Sequence, residues 1–235
     1  MDGGSTLTLT LDGAPGGAAA PALSAGIDEL VIAGWTGRDQ AAMEAHIEEL
    51  AALGIARPKS TPIFYRVAAS LLTTDAEIQV AGEDSSGEVE AVILSLADGL
   101  HIGVGSDHTD RKVEAYNITV SKQACAKPIG RALWRFEDVA DHWDDLSLRS
   151  WTTVGGKRRA YQEGSAARMR HPSELMEKYL GAGKTLPVGT AMFCGTLPVI
   201  GAIEPGEHFE IELEDPVAGR TLTHSYATKT LPVEG

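Results

Sequence analysis

The sequence predicts a β-rich α+β fold with a short N-terminal helix. From residue 63 onward most apolar segments are short and are bounded by glycine, proline or acidic residues, a pattern typical of strands. One longer segment has helical spacing instead, because Met43, Ile47 and Leu50 recur at intervals of three or four residues with acidic residues between them. The sequence shows no internal repeat and no heptad pattern.

The N-terminal part, residues 1–57, is expected to contribute strands and a lid helix that pack on a core unit of residues 58–235. Its predicted elements are an edge strand or frayed terminus, a glycine-rich loop, a buried strand and the helix, at residues 6–12, 13–26, 29–35 and 38–53. Gly37 and Gly54 flank the helix, which is why a lid that closes over a site is expected here.

The core unit is predicted to consist mainly of strands. The strands are expected at residues 63–68, 88–96, 101–105, 146–152, 190–194, 209–214 and 221–227. A turn at residues 215–219 makes a hairpin of the last two. Short helices are predicted at residues 112–117, 137–143 and 173–180, and Ser173 is the expected N-cap of the last helix.

Charge and composition exclude several classes of protein. The chain has 235 residues, with 20 Lys+Arg against 33 Asp+Glu, and its formal net charge of −13 repels nucleic acids and anionic lipids. The apolar run at residues 91–97 is far shorter than the roughly 20 residues of a membrane-spanning helix. The sequence shows no secretory leader, and Cys125 and Cys194 have no metal-binding spacing. We therefore expect a cytoplasmic protein without nucleic-acid or membrane partners.

Glu88 and Glu90 are the first candidates for a functional site. They are two residues apart on a predicted strand, so both carboxylates lie on one face. A solvated face is one interpretation, but residues 89–96 are almost continuously apolar, as in a strand covered on both faces. Carboxylates near a covered surface repel each other and lose hydration unless a cation joins them. A hard divalent cation with oxygen ligands meets that need.

Three further positions could complete such a site. In the polar segment 105–111, Asp107 or Asp110 could supply a third oxygen ligand, although Asp110 could equally cap a helix. Lys122 could neutralise an oxyanion or enolate that develops near the cation.

His46 and Glu49 lie three residues apart on one face of the predicted lid helix. A carboxylate beside an imidazole fixes its tautomer and raises its basicity, and this pairing suits the activation of water. The alternative is a surface pair on an acidic helix, and the two residues alone do not decide between these interpretations.

Taken in order, these segments resemble the fumarylacetoacetate hydrolase (FAH) family over roughly residues 34–231. The matching motifs are Gly37-Arg-Asp-Gln40, His46-Ile-Glu-Glu49, Phe64-Tyr-Arg66, Glu88-Val-Glu90, Asp107-His-Thr-Asp-Arg111, Lys122 before Pro128-Ile-Gly130, Gly155-Gly156, Gln162-Glu-Gly-Ser165 with Met169, Gly195-Thr-Leu-Pro-Val-Ile-Gly201 and Pro205-Gly-Glu207. The interval from Arg38 to His46 is longer than in the family pattern, and residues 66, 110 and 114 depart from it. The resemblance therefore indicates a divergent branch, with the family's mixed β-roll or sandwich core.

The resemblance implies a set of site residues. It implies that Glu88, Glu90 and Asp107 bind one Mg²⁺ or Mn²⁺ ion. It also implies that His46, Glu49 and Lys122 are catalytic and that Thr196, Arg111 and Gln162 bind the substrate.

The activity that the resemblance implies is hydrolysis of a carbon–carbon bond in a 1,3-dicarbonyl, acylpyruvate-like acid. The reaction would proceed through a metal-bound enolate and a water molecule activated by the His46–Glu49 pair. The alternatives are a metal-dependent decarboxylase, tautomerase or dehydratase of a 2-oxo acid, or a non-catalytic binding protein with the same fold. Since family members are commonly dimers, a homodimer is expected.

Overall fold

The structure is a computed structural model that describes residues 4–12, 22–52 and 57–234, apart from the side chains of three residues of the first helix, His46, Glu49 and Leu50. The helices are α1 Gln40–Ala52, α2 Arg111–Glu114, α3 Ile118–Gln123 and α4 Pro172–Leu180. The strands are β1 Ser5–Leu11, β2 Ala22–Ile27, β3 Glu29–Gly34, β4 Ile63–Val67, β5 Leu72–Thr73, β6 Glu77–Ala81, β7 Ser85–Ser86, β8 Val89–Leu96, β9 Gly99–Ser106, β10 Thr109–Asp110, β11 Lys127–Pro128, β12 Ala132–Arg135, β13 Ser147–Val154, β14 Lys157–Ser165, β15 Thr190–Thr196, β16 His208–Asp215 and β17 Arg220–Leu231.

Two sheets form the body of the fold. The larger has eight strands in the order β2-β1-β12-β9-β8-β15-β3-β4, and the smaller has five in the order β14-β13-β16-β17-β6. Both parallel and antiparallel pairs occur, as the parallel pairing of β15 with β3 and the antiparallel pairing of β15 with β8 show. This architecture confirms the predicted β-rich α+β class.

The central strand β8 is covered on both faces. Val89, Ala91 and Ile93 belong to the core between the two sheets, together with apolar residues of β13 and β16. Val92 and Leu94 belong to a second core on the other side of the large sheet. The continuous apolar sequence of β8 follows from this double burial, and Glu90 shares its side of the strand with the second core.

The structure corrects the N-terminal loop prediction. The loop was expected over residues 13–26, but Ala22–Ile27 is strand β2, which pairs antiparallel with β1. Residues 13–21 lie outside the described residues. Because β1 to β3 belong to the same large sheet as later strands, the sheet joins both parts of the chain. The domain division at residue 57 stays a prediction.

Several predicted helices also differ. His171, not Ser173, is the N-cap of α4, because its Nδ1 accepts a hydrogen bond from the Ser173 amide and Pro172 takes the first helical position. The helix expected at 112–117 stops at Glu114, since Asn117 caps the separate helix α3. Residues 137–143 form 3₁₀ turns, within Phe136–Asp138 and Ala140–Asp145. No described helix is both long enough and apolar enough to cross a bilayer.

Candidate metal centre and active-site cavity

The β8–β9 hairpin brings three carboxylates together. Glu88 precedes β8, Glu90 lies within it and Asp107 follows β9, and the Asp107 amide donates a 3.0 Å hydrogen bond to the Glu88 carbonyl. One carboxylate oxygen from each residue lies within 4.8 Å of those of the other two. The structure thus brings together the three ligands expected from the sequence. Asp110 instead caps α2 by accepting a 2.9 Å hydrogen bond from Val113.

Two buried lysines neutralise Asp107. The Nζ of Lys122 hydrogen-bonds its Oδ2, and the Nζ of Lys127 lies 3.1 Å from its Oδ1. Burial alone would raise the pKa of Asp107, but the two ammonium groups lower it to about 2. Burial would lower the pKa of Lys122, yet Asp107 and Glu88 raise it, so Lys122 stays cationic. Asp107 is therefore a fully buried carboxylate that is ionised at neutral pH.

Glu90 has a different environment from Asp107. Its Oε2 accepts a 2.6 Å hydrogen bond from the amide of Gly195. Burial, followed by repulsion from Asp107 and Glu88, holds the pKa of Glu90 well above its ordinary value. A cation among these oxygens would relieve that repulsion, and carboxylate oxygens are the donors that hard divalent ions prefer. The donor set therefore fits Mg²⁺ or Mn²⁺.

Arg111 is held by acidic partners beside this centre. Its Nη1 lies 2.9 Å from Oε1 of Glu88 and 2.9 Å from Oε2 of Glu114, and its Nε donates to Ser86 at 2.7 Å. The Arg111 side chain is mostly buried and fixes the orientation of Glu88. It is not among the residues that line the main cavity. Direct contact of Arg111 with a substrate stays a prediction.

Gln162 and Thr196 link strand β8 to the next wall of the site. Gln162 accepts a 2.9 Å hydrogen bond from the Val89 amide and donates to Thr196 Oγ1 at 2.8 Å and to the Leu197 carbonyl at 2.6 Å. Thr196 in turn donates to the Val89 carbonyl at 2.8 Å. Thr196 lines the cavity, whereas Gln162 is buried behind it with its amide occupied. Substrate binding by either residue stays a prediction.

A cavity of about 880 Å³ opens in front of the carboxylates. Glu88, Glu90 and Lys122 line it, and Asp107 lies directly behind Lys122. Asp39, Ala42 and Met43 line another part of its wall, from the residue before α1 and the first turn of that helix.

The predicted dyad belongs to the same helix. His46 and Glu49 are part of α1, three and six residues beyond the cavity-lining Met43, but their side chains lie outside the described residues.

Lys127 and Gly195 help to build the site, although the sequence did not lead us to assign either residue to it. Lys127 lies next to Pro128 on the two-residue strand β11, too short an element to carry a burial pattern. Gly195 acts through its main-chain amide, and because every residue except proline has such an amide, the residue type does not reveal this role. The only available signal was the glycine itself, within an apolar strand.

Residues 33–226 match the family described as "Protein of unknown function (DUF2848)". The chain belongs to this family. No curated protein is significantly similar to the DUF2848 chain in sequence.

Several solved structures have a fold similar to that of the DUF2848 chain. A candidate fumarylacetoacetate isomerase/hydrolase from Oleispira antarctica has 20% identity and a TM-score of 0.66, over 95% of this chain and 100% of the other. A candidate fumarylpyruvate hydrolase from Burkholderia cenocepacia has 19% identity and a TM-score of 0.60, over 99% and 98%.

A third structure is 2-keto-3-deoxy-D-arabinonate dehydratase complexed with magnesium and 2,5-dioxopentanoate. It has 16% identity and a TM-score of 0.59, over 87% of this chain and 74% of the other. At these identities the likeness establishes the fold alone. It confirms the FAH-like fold, and membership of DUF2848 agrees with a divergent branch.

Proposed function

We propose that the protein is a divalent-metal-dependent enzyme that hydrolyses a carbon–carbon bond in a 1,3-dicarbonyl, acylpyruvate-like acid. One observation carries the proposal: Glu88, Glu90 and Lys122 line a single cavity, with Asp107 directly behind them. An acidic cluster with a buried cationic neighbour, at the wall of a cavity that can hold a small molecule, is typical of a catalytic site.

Glu88, Glu90 and Asp107 would hold one Mg²⁺ or Mn²⁺ ion. When bound, such an ion supplies Lewis-acid polarisation to the oxygens of a 2-oxo acid. The dehydratase complex with magnesium and 2,5-dioxopentanoate supports both the kind of ion and the kind of ligand, since its fold is similar to that of this chain. The raised pKa of Glu90 follows from the same crowding of carboxylates, which a cation would relieve.

Lys122 would stabilise negative charge on the substrate. Its ammonium lies at the cavity wall and stays protonated because Asp107 and Glu88 raise its pKa. A fixed positive charge in a water-poor site stabilises an enolate oxygen as the carbon–carbon bond breaks. Lys127, which is fully buried behind it, holds Asp107 in position from the other side.

His46 and Glu49 would activate water from helix α1. In the proposed reaction His46 takes a proton from water, and the water oxygen attacks the acyl carbonyl. The bond to the neighbouring carbon then breaks, and its electron pair passes to the 2-oxo acid fragment as an enolate. Protonation of that carbon yields a 2-oxo acid and a carboxylic acid.

A dehydratase, decarboxylase or tautomerase acting on a 2-oxo acid is the second candidate. The carboxylates and Lys122 serve these reactions equally well, and similar folds include 2-keto-3-deoxyarabinonate dehydratase. The two candidates differ in the need for an activated water. His46→Ala separates them, because it abolishes hydrolysis but spares a reaction that proceeds only through proton transfer at the enolate.

The proposed function is tested by following the enol absorbance of a panel of acylpyruvates with Mg²⁺, Mn²⁺ or EDTA. We expect metal-dependent loss of absorbance with release of pyruvate, and none for Asp107→Asn. Asp98→Asn, at the turn of the same hairpin and outside the cavity, is the matched control and keeps its activity. Pyruvate release without metal dependence would contradict the metal assignment, and Mg²⁺ binding without turnover would favour the second candidate.

A homodimer and a cytoplasmic location are part of the same proposal. Size-exclusion chromatography coupled to light scattering tests the homodimer, since a monomer at assay concentrations would contradict it.

A further inference from the structure

Arg168 is a charged residue of the cavity wall that the proposed chemistry leaves without a role. It ends the 3₁₀ turn Ala166–Arg168, and it is an exposed residue among those that line the cavity. Within the part of the chain that the structure describes, its guanidinium makes no hydrogen bond or ion pair. The five N–H donors of this guanidinium therefore have no protein partner among the described residues and are available to a ligand of the cavity.

The other cations of the cavity wall are already engaged. The two terminal nitrogens of Arg38 bind both carboxylate oxygens of Asp144, at 2.7 and 2.5 Å. Lys122 is paired with Asp107. The acidic residues of the wall also have partners. Asp39 accepts a hydrogen bond from the Ala42 amide, and Glu90 accepts one from the Gly195 amide. Glu88 and Glu114 are both paired with Arg111. Among the described residues of this wall, Arg168 is thus the one charged side chain with neither a hydrogen bond nor an ion pair.

The main chain around Arg168 is held firmly. The Arg168 carbonyl accepts a 3.0 Å hydrogen bond from the Arg38 amide, and the Arg170 amide donates a 2.8 Å hydrogen bond to the Thr36 carbonyl. Between these bonds Gly37 and Met169 form an antiparallel bridge. The fold therefore fixes the main-chain position from which the Arg168 side chain extends.

The stem of Arg168 also has a defined path. Its Cδ lies 3.6 Å from the position that a Cβ on Gly164 would take, and the methyl groups of Leu197 lie 3.2 and 3.3 Å from that position. Leu197 itself lines the cavity, beside Thr196 and Pro198. Arg168 and the carboxylates thus belong to different elements of the chain that line the same cavity.

We propose that Arg168 binds a second carboxylate of the substrate and so makes the enzyme selective for 2-oxo acids that are diacids. This inference rests on the function proposed above, in which Glu88, Glu90, Asp107 and Lys122 serve the 2-oxo acid group. A guanidinium forms paired hydrogen bonds with a carboxylate, and such charge-assisted pairs are stronger than neutral ones. A monoacid of the same length leaves Arg168 without a partner.

The test is calorimetric titration of the full-length protein with two ligands of equal chain length, 2-oxoglutarate and 2-oxopentanoate, in the presence of Mg²⁺. The wild-type protein is expected to bind the diacid about tenfold or more tightly than the monoacid. Arg168→Gln is expected to remove this preference by weakening only the diacid. Arg168→Lys should retain part of it, and Arg135→Gln, a half-exposed arginine outside the cavity, should retain all of it.

The outcomes separate this inference from the proposed function. If neither ligand binds the wild-type protein with Mg²⁺ or Mn²⁺, the 2-oxo acid function fails, and the inference fails with it. If both bind equally well, or Arg168→Gln weakens both by the same factor, the function stands and the diacid selectivity is wrong. A diacid preference that survives Arg168→Gln also overturns the inference, because another group must then bind the second carboxylate.

Discussion

The main-chain amide of Gly195 donates a 2.6 Å hydrogen bond to Oε2 of the buried Glu90, and this bond ties strand β15 to the acidic centre on strand β8. Gly195 has φ of +102°, a conformation that favours glycine, and the strand pairing is irregular at this point. A Cβ on Gly195 would lie 1.8 Å from Oγ1 of Thr36. The position of Glu90 therefore depends on glycine at residue 195.

Gly195→Ala is expected to lower the free energy of unfolding by about 3 kcal/mol or more, since it combines an unfavourable φ with a steric overlap. Gly181→Ala is the matched control: Gly181 has φ of +99°, but an added Cβ there meets no atom within 4 Å. It should cost about 1–3 kcal/mol, less than Gly195→Ala, because it combines the unfavourable φ with no steric overlap. Urea unfolding of both variants checks the prediction, and equal losses would show that the Thr36 overlap relaxes without cost.

Gln162→Leu is expected to destabilise the protein although it conserves side-chain size. It removes the hydrogen bonds of the Val89 amide and the Leu197 carbonyl, each buried in the same network, at about 1–3 kcal/mol per group. Gln79→Leu, on the exposed side of β6, should change stability by about 0.5 kcal/mol or less. A thermal melt of each variant measures the difference, and a wild-type melting temperature for Gln162→Leu would refute it.

Mn²⁺ is expected to raise the melting temperature of the wild-type protein, because a ligand that binds only the native state stabilises that state. At a ligand concentration of a hundred times Kd, the free energy of unfolding rises by about 2.7 kcal/mol. Glu90→Gln should weaken Mn²⁺ affinity about tenfold or more. Without metal this variant should be at least as stable as the wild type, since repulsion from Asp107 and Glu88 is removed. Glu83→Gln, an exposed change nearby, should leave both quantities unaltered.

Asp215 is expected to make stability depend on acidic pH. Burial alone would raise its pKa, but the Ala218 amide, Arg220 and His142 outweigh burial and hold the pKa below its ordinary value. A carboxyl group with a depressed pKa stabilises the native state above its unfolded pKa of about 3.9, and this contribution is lost as pH falls through the folded pKa.

Asp215→Asn should therefore be less stable than the wild type at pH 7, by about 2 kcal/mol, and the gap should narrow below about pH 4. Urea unfolding at a series of pH values provides the measurement, with Asp141→Asn, an exposed acid, as the control. A gap that does not change with pH would mean that the charge of Asp215 contributes nothing beyond its hydrogen bonds.

The sequence predicted the acidic centre because its signals are local. Glu88 and Glu90 stand out by their spacing on an apolar strand, and Asp107 by its polar loop. Lys127 and the Gly195 amide reach the centre through pairings between distant segments, which side-chain identity does not encode.

The fold was predictable to a similar extent. Apolar strands such as β8 and β15 follow from burial on both faces. Strand β14, with the sequence KRRAYQEGS, was missed because it is the polar edge of its sheet. Helix α3 was missed because its β-branched residues favour a strand, whereas its Asn117 cap determines the helix.

The placement of all three carboxylates on one hairpin has a consequence for folding kinetics. A short hairpin closes before segments that are far apart in sequence, and the Gly195 amide is 105 residues from Glu90. Glu88, Glu90 and Asp107 therefore approach one another before Lys127 and strand β15 have docked. The charges that favour an ion in the native protein oppose this early closure, and ionic strength is expected to set the refolding rate more strongly than it sets native stability.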